Sequence, residues 1–85
     1  MTIHLIYFAW VRERIGRGSE SLDVPATVTD AGELIEWLSQ QGEEYANAFA
    51  KPASIRVAID QVHANHDQPI AGAREIAFFP PVTGG

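Results

Sequence analysis

Apolar residues alternate from Thr2 to Val11, with Ile3, Leu5, Tyr7 and Ala9 on one side and His4, Ile6, Phe8 and Trp10 on the other. Both sides are largely apolar, which predicts a central strand covered on two faces. Charge and two glycines between Arg12 and Gly18 break the pattern. Ser19–Val24 resumes it as a second strand with Leu22 and Val24 inward, and Pro25 ends that strand. The short separation favours an antiparallel hairpin.

Thr27, Thr29 and Asp30 offer helix N-caps, and Glu33 follows Asp30 by three residues, as a capping box requires. Ala31, Leu34, Ile35 and Leu38 then form one helical stripe, with Gly42 as the natural stop. Glu43–Lys51 predicts a short second helix with Tyr45 and Phe49 four apart, ended by Pro52. Ile55, Val57 and Ile59 mark a strand, Asp60-Gln61 a turn, and Val62 and Ala64 a return arm. Asp67–Gly72 is turn-rich around Pro69. Glu75–Phe79 is the last strand, with Ile76 and Phe78 on one face and Ala77 and Phe79 on the other. The order β-β-α-β-(β)-β predicts an α+β fold: a mixed sheet of four to five strands with one main helix across one face. This is the β-grasp, or ubiquitin-like, arrangement. It takes residues 1–79 and leaves 80–85 as an extended tail.

At 85 residues the chain is sized for one domain. About 63% of the surface of a chain this long is buried on folding, enough for a modest core but not for an enclosed active site. Cysteine is absent, which excludes disulfides, thiolate metal sites and a cysteine nucleophile. A net charge of −5 argues against nucleic acid as a partner. The longest apolar run, Leu5–Val11, is too short to span a bilayer, and its arginines follow it, whereas a signal peptide carries them in front. The expectation is a cytoplasmic protein with its mature N-terminus. Residues 18–50 hold Glu20, Asp23, Asp30, Glu33, Glu36, Glu43 and Glu44 and no Lys or Arg. Such a run is usually a solvated face; the functional alternative is electrostatic steering toward a basic partner.

The last residues are Phe78-Phe79-Pro80-Pro81-Val82-Thr83-Gly84-Gly85. Pro80 lacks an N–H and holds Phe79 extended, so the strand ladder is expected to stop there. Two prolines favour a polyproline-like exit, and six residues at about 3.3 Å each reach roughly 20 Å. Glycine at both final positions gives a slim tip that fits a narrow slot in another protein. Gly-Gly alone is weak evidence, since chance places it at the end of about 0.5% of chains. The stiff Pro-Pro spacer springing from a final strand is what makes it informative.

The nonapeptide Ala77-Phe78-Phe79-Pro80-Pro81-Val82-Thr83-Gly84-Gly85 resembles the C-terminus of the molybdopterin synthase small subunits, the MoaD family. Tyr7-Phe8-Ala9-Trp10-Val11-Arg12-Glu13 is similar to that family's opening strand and Arg-Glu exit. Thr27-Val28 through Leu38 resembles its helix, and Ile59-Asp60-Gln61 falls where it has Val-Asn-Gln or Val-Asn-Gly. The likeness spans essentially the whole chain. Asp60 departs from the usual Asn, and Ala73-Arg74 from the common Gly-Asp. Asn and Gly accept positive φ readily, Asp less so and Ala poorly, which leaves the conformation of both turns open.

The resemblance implies a sulfur carrier with no cofactor of its own. An α-carboxylate has a pKa near 3.5 and is a poor electrophile at neutral pH, so Gly85 needs activation. In the family a ubiquitin-activating-type adenylyltransferase uses ATP to adenylate the terminal glycine, and a sulfur donor converts it to a thiocarboxylate. The large synthase subunit then receives the tail, and sulfur passes to the pyranopterin precursor of molybdopterin. The chain would be a non-catalytic subunit of the synthase, with the active site on the large subunit. That subunit is expected to hold the anionic end with Lys or Arg. Gly85 is the reacting residue and Gly84 its slim neighbour. Phe8, Val62, His63, Phe79, Pro80, Pro81, Val82 and Thr83 are the expected partner-binding residues. Phe8 and Phe79 have an ordinary alternative as core residues. Trp10 and Trp37, off the clearest apolar stripes, are further candidates for the docking face, with an isolated exposed aromatic as their ordinary alternative.

His63 and His66, near Asp60 and Asp67, superficially suggest a metal site, but odd spacing on a strand sends them to opposite faces, so no metal is expected. Glu13 between Arg12 and Arg14 reads as surface charge. Gly16 and Gly18 lack the strand–helix context of a phosphate loop. Two other readings remain open: a thiamine-pathway sulfur carrier, which also ends in Gly-Gly, and a non-covalent ubiquitin-like binding module whose tail is never activated. The Phe-Phe-Pro-Pro-Val run favours the molybdopterin branch.

Overall fold

The computed structural model describes residues 1–81. Among them β1 (Thr2–Tyr7), α1 (Ala9–Ile15), β2 (Ser19–Asp23), α2 (Ala31–Ser39), α3 (Glu43–Ala48), a 3-10 turn (Pro52–Ser54), β3 (Arg56–Ile59), β4 (Val62–Ala64) and β5 (Glu75–Phe79) follow in order. The strands build one sheet in the order β2-β1-β5-β3-β4. β1 and β5 run parallel at its centre, and the remaining pairs are antiparallel. Helices on one face of this mixed sheet give the β-grasp architecture that the sequence predicts.

The core forms because one face of each central strand is apolar. Ile3, Leu5 and Tyr7 of β1, Ile76 and Phe78 of β5 and Val57 of β3 join Leu34, Ile35 and Leu38 of α2 in one buried cluster. Phe78 sits at its centre, stacked on Tyr7 at 5.9 Å and edge-on to Phe49 at 5.4 Å. β5 ends at Phe79.

The first strand is shorter than its alternation implies. β1 stops at Tyr7, and Ala9, with φ +53°, turns the chain into α1. Val11 and Ile15, four apart, are the buried residues of α1, and Gly16 at φ +89° closes it by donating its N–H to the Arg12 carbonyl. Val11 keeps an inward phase whether the segment is a strand or a helix, so alternation alone does not separate them. The predicted inward Val24 is fully buried, one residue past the end of β2.

α2 starts as expected. Asp30 Oδ1 accepts the Glu33 N–H at 2.8 Å. The return contact goes one residue further back, with the Thr29 N–H and hydroxyl donating to Glu33 Oε1 at 2.7 Å each. These bonds hold the Glu33 carboxyl below its ordinary range, the Thr29 hydroxyl contributing most. The helix ends at Ser39, three residues before Gly42, which instead precedes α3 in an extended conformation. α3 is likewise shorter than Glu43–Lys51: Phe49 caps it, and Pro52 opens the 3-10 turn.

β3 and β4 are joined by Asp60 and Gln61, whose φ values of +49° and +70° are those of a two-residue hairpin turn. Asp60 holds this conformation with its neighbours: its N–H donates to the Glu75 carbonyl at 2.8 Å. Its Oδ1 accepts the backbone N–H groups of Arg74 and Glu75 at 3.0 Å each. In the turn before β5 the positive φ, +79°, belongs to Gly72. Ala73 is spared it and donates its N–H to the Ile70 carbonyl at 3.0 Å.

Candidate functional site

β5 carries the chain out of the sheet between β1 and β3. The Phe8 N–H donates to the Phe78 carbonyl at 3.0 Å, and Arg56 pairs with Phe79 as the last rung on the other side. Pro80 has no N–H with which to extend the ladder. Pro80 and Pro81 are half-buried against the body. Val82, Thr83, Gly84 and Gly85 lie outside the described residues, and with them the expected reacting group.

The sheet face turned away from the helices is built from the alternate residues of each strand. Across it run Ile6, Ala77, Ala58 and His63, cross-strand partners in succession. One step toward the tail, Phe8, Phe79 and Arg56 form the next row. Ala58 and Ala77 are small and nearly buried, so the face is flat in the middle, with aromatic groups rising at its edge. Phe8 is 49% exposed, and Phe79 is half-buried with its ring 5.3 Å from the His63 imidazole, edge to face. The structure thus brings together Phe8, His63, Phe79 and Pro80 at the point where the tail leaves.

Val62 does not join them. It pairs with Ile59, which packs against the core, so its side chain lies on the helix side of the edge strand. Alternation forces this result: neighbours on one strand face opposite ways, and Val62 and His63 are neighbours. His66 is also elsewhere, with Nε2 donating to the Ile55 carbonyl at 2.8 Å. Trp10 and Trp37 are both partly buried against the core cluster.

Glu20 departs from the solvated acidic stretch. Its side chain is only 12% exposed. Oε2 accepts the hydroxyls of Tyr7 at 2.8 Å and Tyr45 at 2.6 Å, and Oε1 pairs with Arg17 at 2.9 Å. Burial works against its ionisation, but the bonds from Tyr45, Tyr7 and Arg17 together outweigh burial and hold the carboxyl below its ordinary range. Burial, reinforced by the anionic Glu20, pushes the Tyr45 phenol up to about 12 and Tyr7 higher still. This node ties α3 to the β1–β2 hairpin. Its sequence signal is phase: Glu20 shares the inward alternation of Leu22 and Val24.

Residues 5–85 match the ThiS family. The chain belongs to that family. It is 32% identical over 83 residues to the molybdopterin synthase sulfur carrier subunit of Escherichia coli (strain K12), covering 98% of this chain and 99% of that protein. It is 36% identical to the protein of the same name from Haemophilus influenzae, with the same coverage. Among solved structures, SAMP1 from Haloferax volcanii superposes with a TM-score of 0.72 at 22% identity, covering all of both chains. A putative molybdopterin converting factor, subunit 1, from Pyrococcus furiosus also gives 0.72, at 20% identity over 96% of this chain and 99% of that one. These two structural likenesses establish the fold. No helix among the described residues is long and apolar enough to cross a membrane.

Proposed function

We propose that this chain is the sulfur-carrier subunit of a molybdopterin synthase, and that the Gly85 carboxyl group is the sulfur-bearing atom set. The observation that carries the reading is the end-to-end match, at 32–36% identity, to relatives bearing that name. The chemistry of the end supports it. At neutral pH the carboxylate is ionised and must first be activated. An adenylyltransferase brings ATP; a carboxylate oxygen attacks the α-phosphorus and pyrophosphate leaves. A donor at the oxidation level of sulfide then displaces AMP, so that a C–S bond replaces a C–O bond. In the large subunit the thiocarboxylate sulfur is delivered to the pyranopterin precursor.

The globular body acts as the handle. Its β5 strand, anchored on both edges, gives the tail a fixed point of departure, and Pro80 and Pro81 stiffen the first step. The large subunit would cover the open sheet face, with Phe8, Phe79 and His63 at the tail's root, and its entry slot would take up Pro80, Pro81, Val82 and Thr83. Gly84 supplies the narrow approach that any side chain would block. The test is the intact mass of the chain after incubation with ATP, the adenylyltransferase and a sulfur source. A gain equal to replacing one carboxyl oxygen by sulfur, located at Gly85, is expected. An unchanged mass under conditions that thiocarboxylate a known carrier would favour the non-covalent module instead. Restoration of thiamine rather than molybdopterin synthesis would assign the chain to the other sulfur pathway.

A further inference from the structure

A second surface lies at the same end of the molecule as the tail exit. A recess of about 470 Å³ opens between α1 and the end of α3, bordered by Trp10, Arg14, Asn47, Lys51 and Ser54. α1 begins directly after Phe8, and Ser54 lies two residues before Arg56, the partner of Phe79. The recess therefore flanks the root of β5 on the helix side, opposite the open sheet face.

Its chemistry is that of a carboxylate receptor. Arg14 lays its guanidinium over the Trp10 indole at 4.5 Å from the ring centre. Stacking restrains the guanidinium plane and leaves its N–H edge free for a bidentate acceptor. Lys51 adds a second positive charge, and Asn47 and Ser54 add neutral hydrogen-bonding groups. Among the described residues neither Arg14 nor Lys51 forms an ion pair, whereas Arg17 on the same side is already taken by Glu20. No acidic residue borders the recess. In a chain of six basic and eleven acidic side chains, two uncommitted cations beside one aromatic group are a local inversion of charge.

Building on the sulfur-carrier reading, we propose that this recess is a second contact for the large synthase subunit, taking an acidic side chain of that subunit between Arg14 and Lys51 while the tail is engaged. The occupant is a carboxylate because a forked, planar donor beside a point charge matches its two oxygens. A partner that takes up the tail necessarily lies against this end of the molecule, so the site is within its reach. Rim charges of this kind act on the rate of encounter and on its salt dependence.

The test measures association of the full chain with the large subunit from the same organism, at low and high salt. The variants are Arg14→Glu, Lys51→Glu and the milder Arg14→Lys. Arg74→Gln, at the opposite end of β5, is the control, and each variant's melting temperature verifies folding. A tenfold or greater loss of affinity is expected for each charge reversal at low salt. The loss should shrink at high salt, Arg14→Lys should lose less, and Arg74→Gln should change affinity by less than twofold. In a Trp37→Phe background, Trp10 emission should shift when the large subunit binds wild-type recess residues. Unchanged affinity of both charge-reversed variants for the large subunit would overturn the proposal. Failure of the wild-type chain to accept sulfur would refute the carrier reading instead, and the same preparation reports it separately by mass.

Discussion

Phe78 and Phe79 are adjacent, chemically identical and on opposite faces of β5, so truncating each in turn separates folding from docking. Phe78 is fully buried and in contact with Tyr7 and Phe49. Replacing such a residue by alanine costs about 3–5 kcal/mol in transfer and cavity terms. For a domain of this size that is a fall of roughly 12–40 °C in melting temperature, enough to leave much of the chain unfolded. Phe79 is half-buried on the open face, with the His63 ring as its aromatic neighbour. Half the burial leaves a cost of about 1.5–2.5 kcal/mol, a fall of roughly 6–20 °C. A buried aromatic anchor in an interface contributes about 2 kcal/mol or more, and Phe79 stands at the root of the tail that the large subunit takes up, so Phe79→Ala should weaken binding about 30-fold or more. Thermal melts and titration calorimetry on the same samples decide the matter. A Phe79→Ala chain that loses several kcal/mol of stability but binds with unchanged affinity would refute the assignment of the open face.

Other perturbations test the supports of the site. Glu20→Gln removes the charge that holds Arg17 and should lower stability by about 1–2 kcal/mol at neutral pH, measured by urea titration. Because the folded Glu20 pKa is depressed, its contribution is complete above the ordinary carboxylate range and fades as pH falls through the folded value, so wild type and variant should converge in acid. The raised phenols act in the opposite direction: their contribution holds below pH 10 and is lost as pH rises toward about 12, the folded value for Tyr45. Ala9→Gly should raise stability by about 0.5–1 kcal/mol, since φ +53° crowds the alanine Cβ; a lower melting temperature would contradict this. Asp60→Ala, which removes the acceptor for two backbone N–H groups, should cost about 1–2 kcal/mol, while Asp60→Asn should be nearly neutral.

The parts of the fold readable from sequence are those where one signal dominates. α2 has a cap, a reciprocal acidic residue and an uninterrupted stripe, and its start is where these place it. β5 has alternation and a proline stop, and both act as expected. α1 was illegible because seven residues with two inward side chains do not outweigh an alternation that fits a strand equally well. What bends the chain there is a left-handed Ala9, and alanine carries no such signal. Of the candidate site, Phe8, Phe79 and His63 were legible as a group because strand phase and the position of the tail root are local properties. Nearness in sequence pairs Val62 with His63, but neighbours in a strand point to opposite faces. Glu20 was masked by its acidic neighbours, although its inward phase was visible. The recess at Trp10, Arg14 and Lys51 depends on packing α1 against α3, and no spacing along the chain encodes that.

The central claim is best tested by removing Gly85 and assaying sulfur transfer with the large subunit and the pterin precursor. The account predicts an unchanged melting temperature and no molybdopterin formed, with product restored when the full-length thiocarboxylated chain is supplied. Molybdopterin produced at the full rate by the chain lacking Gly85 would contradict it.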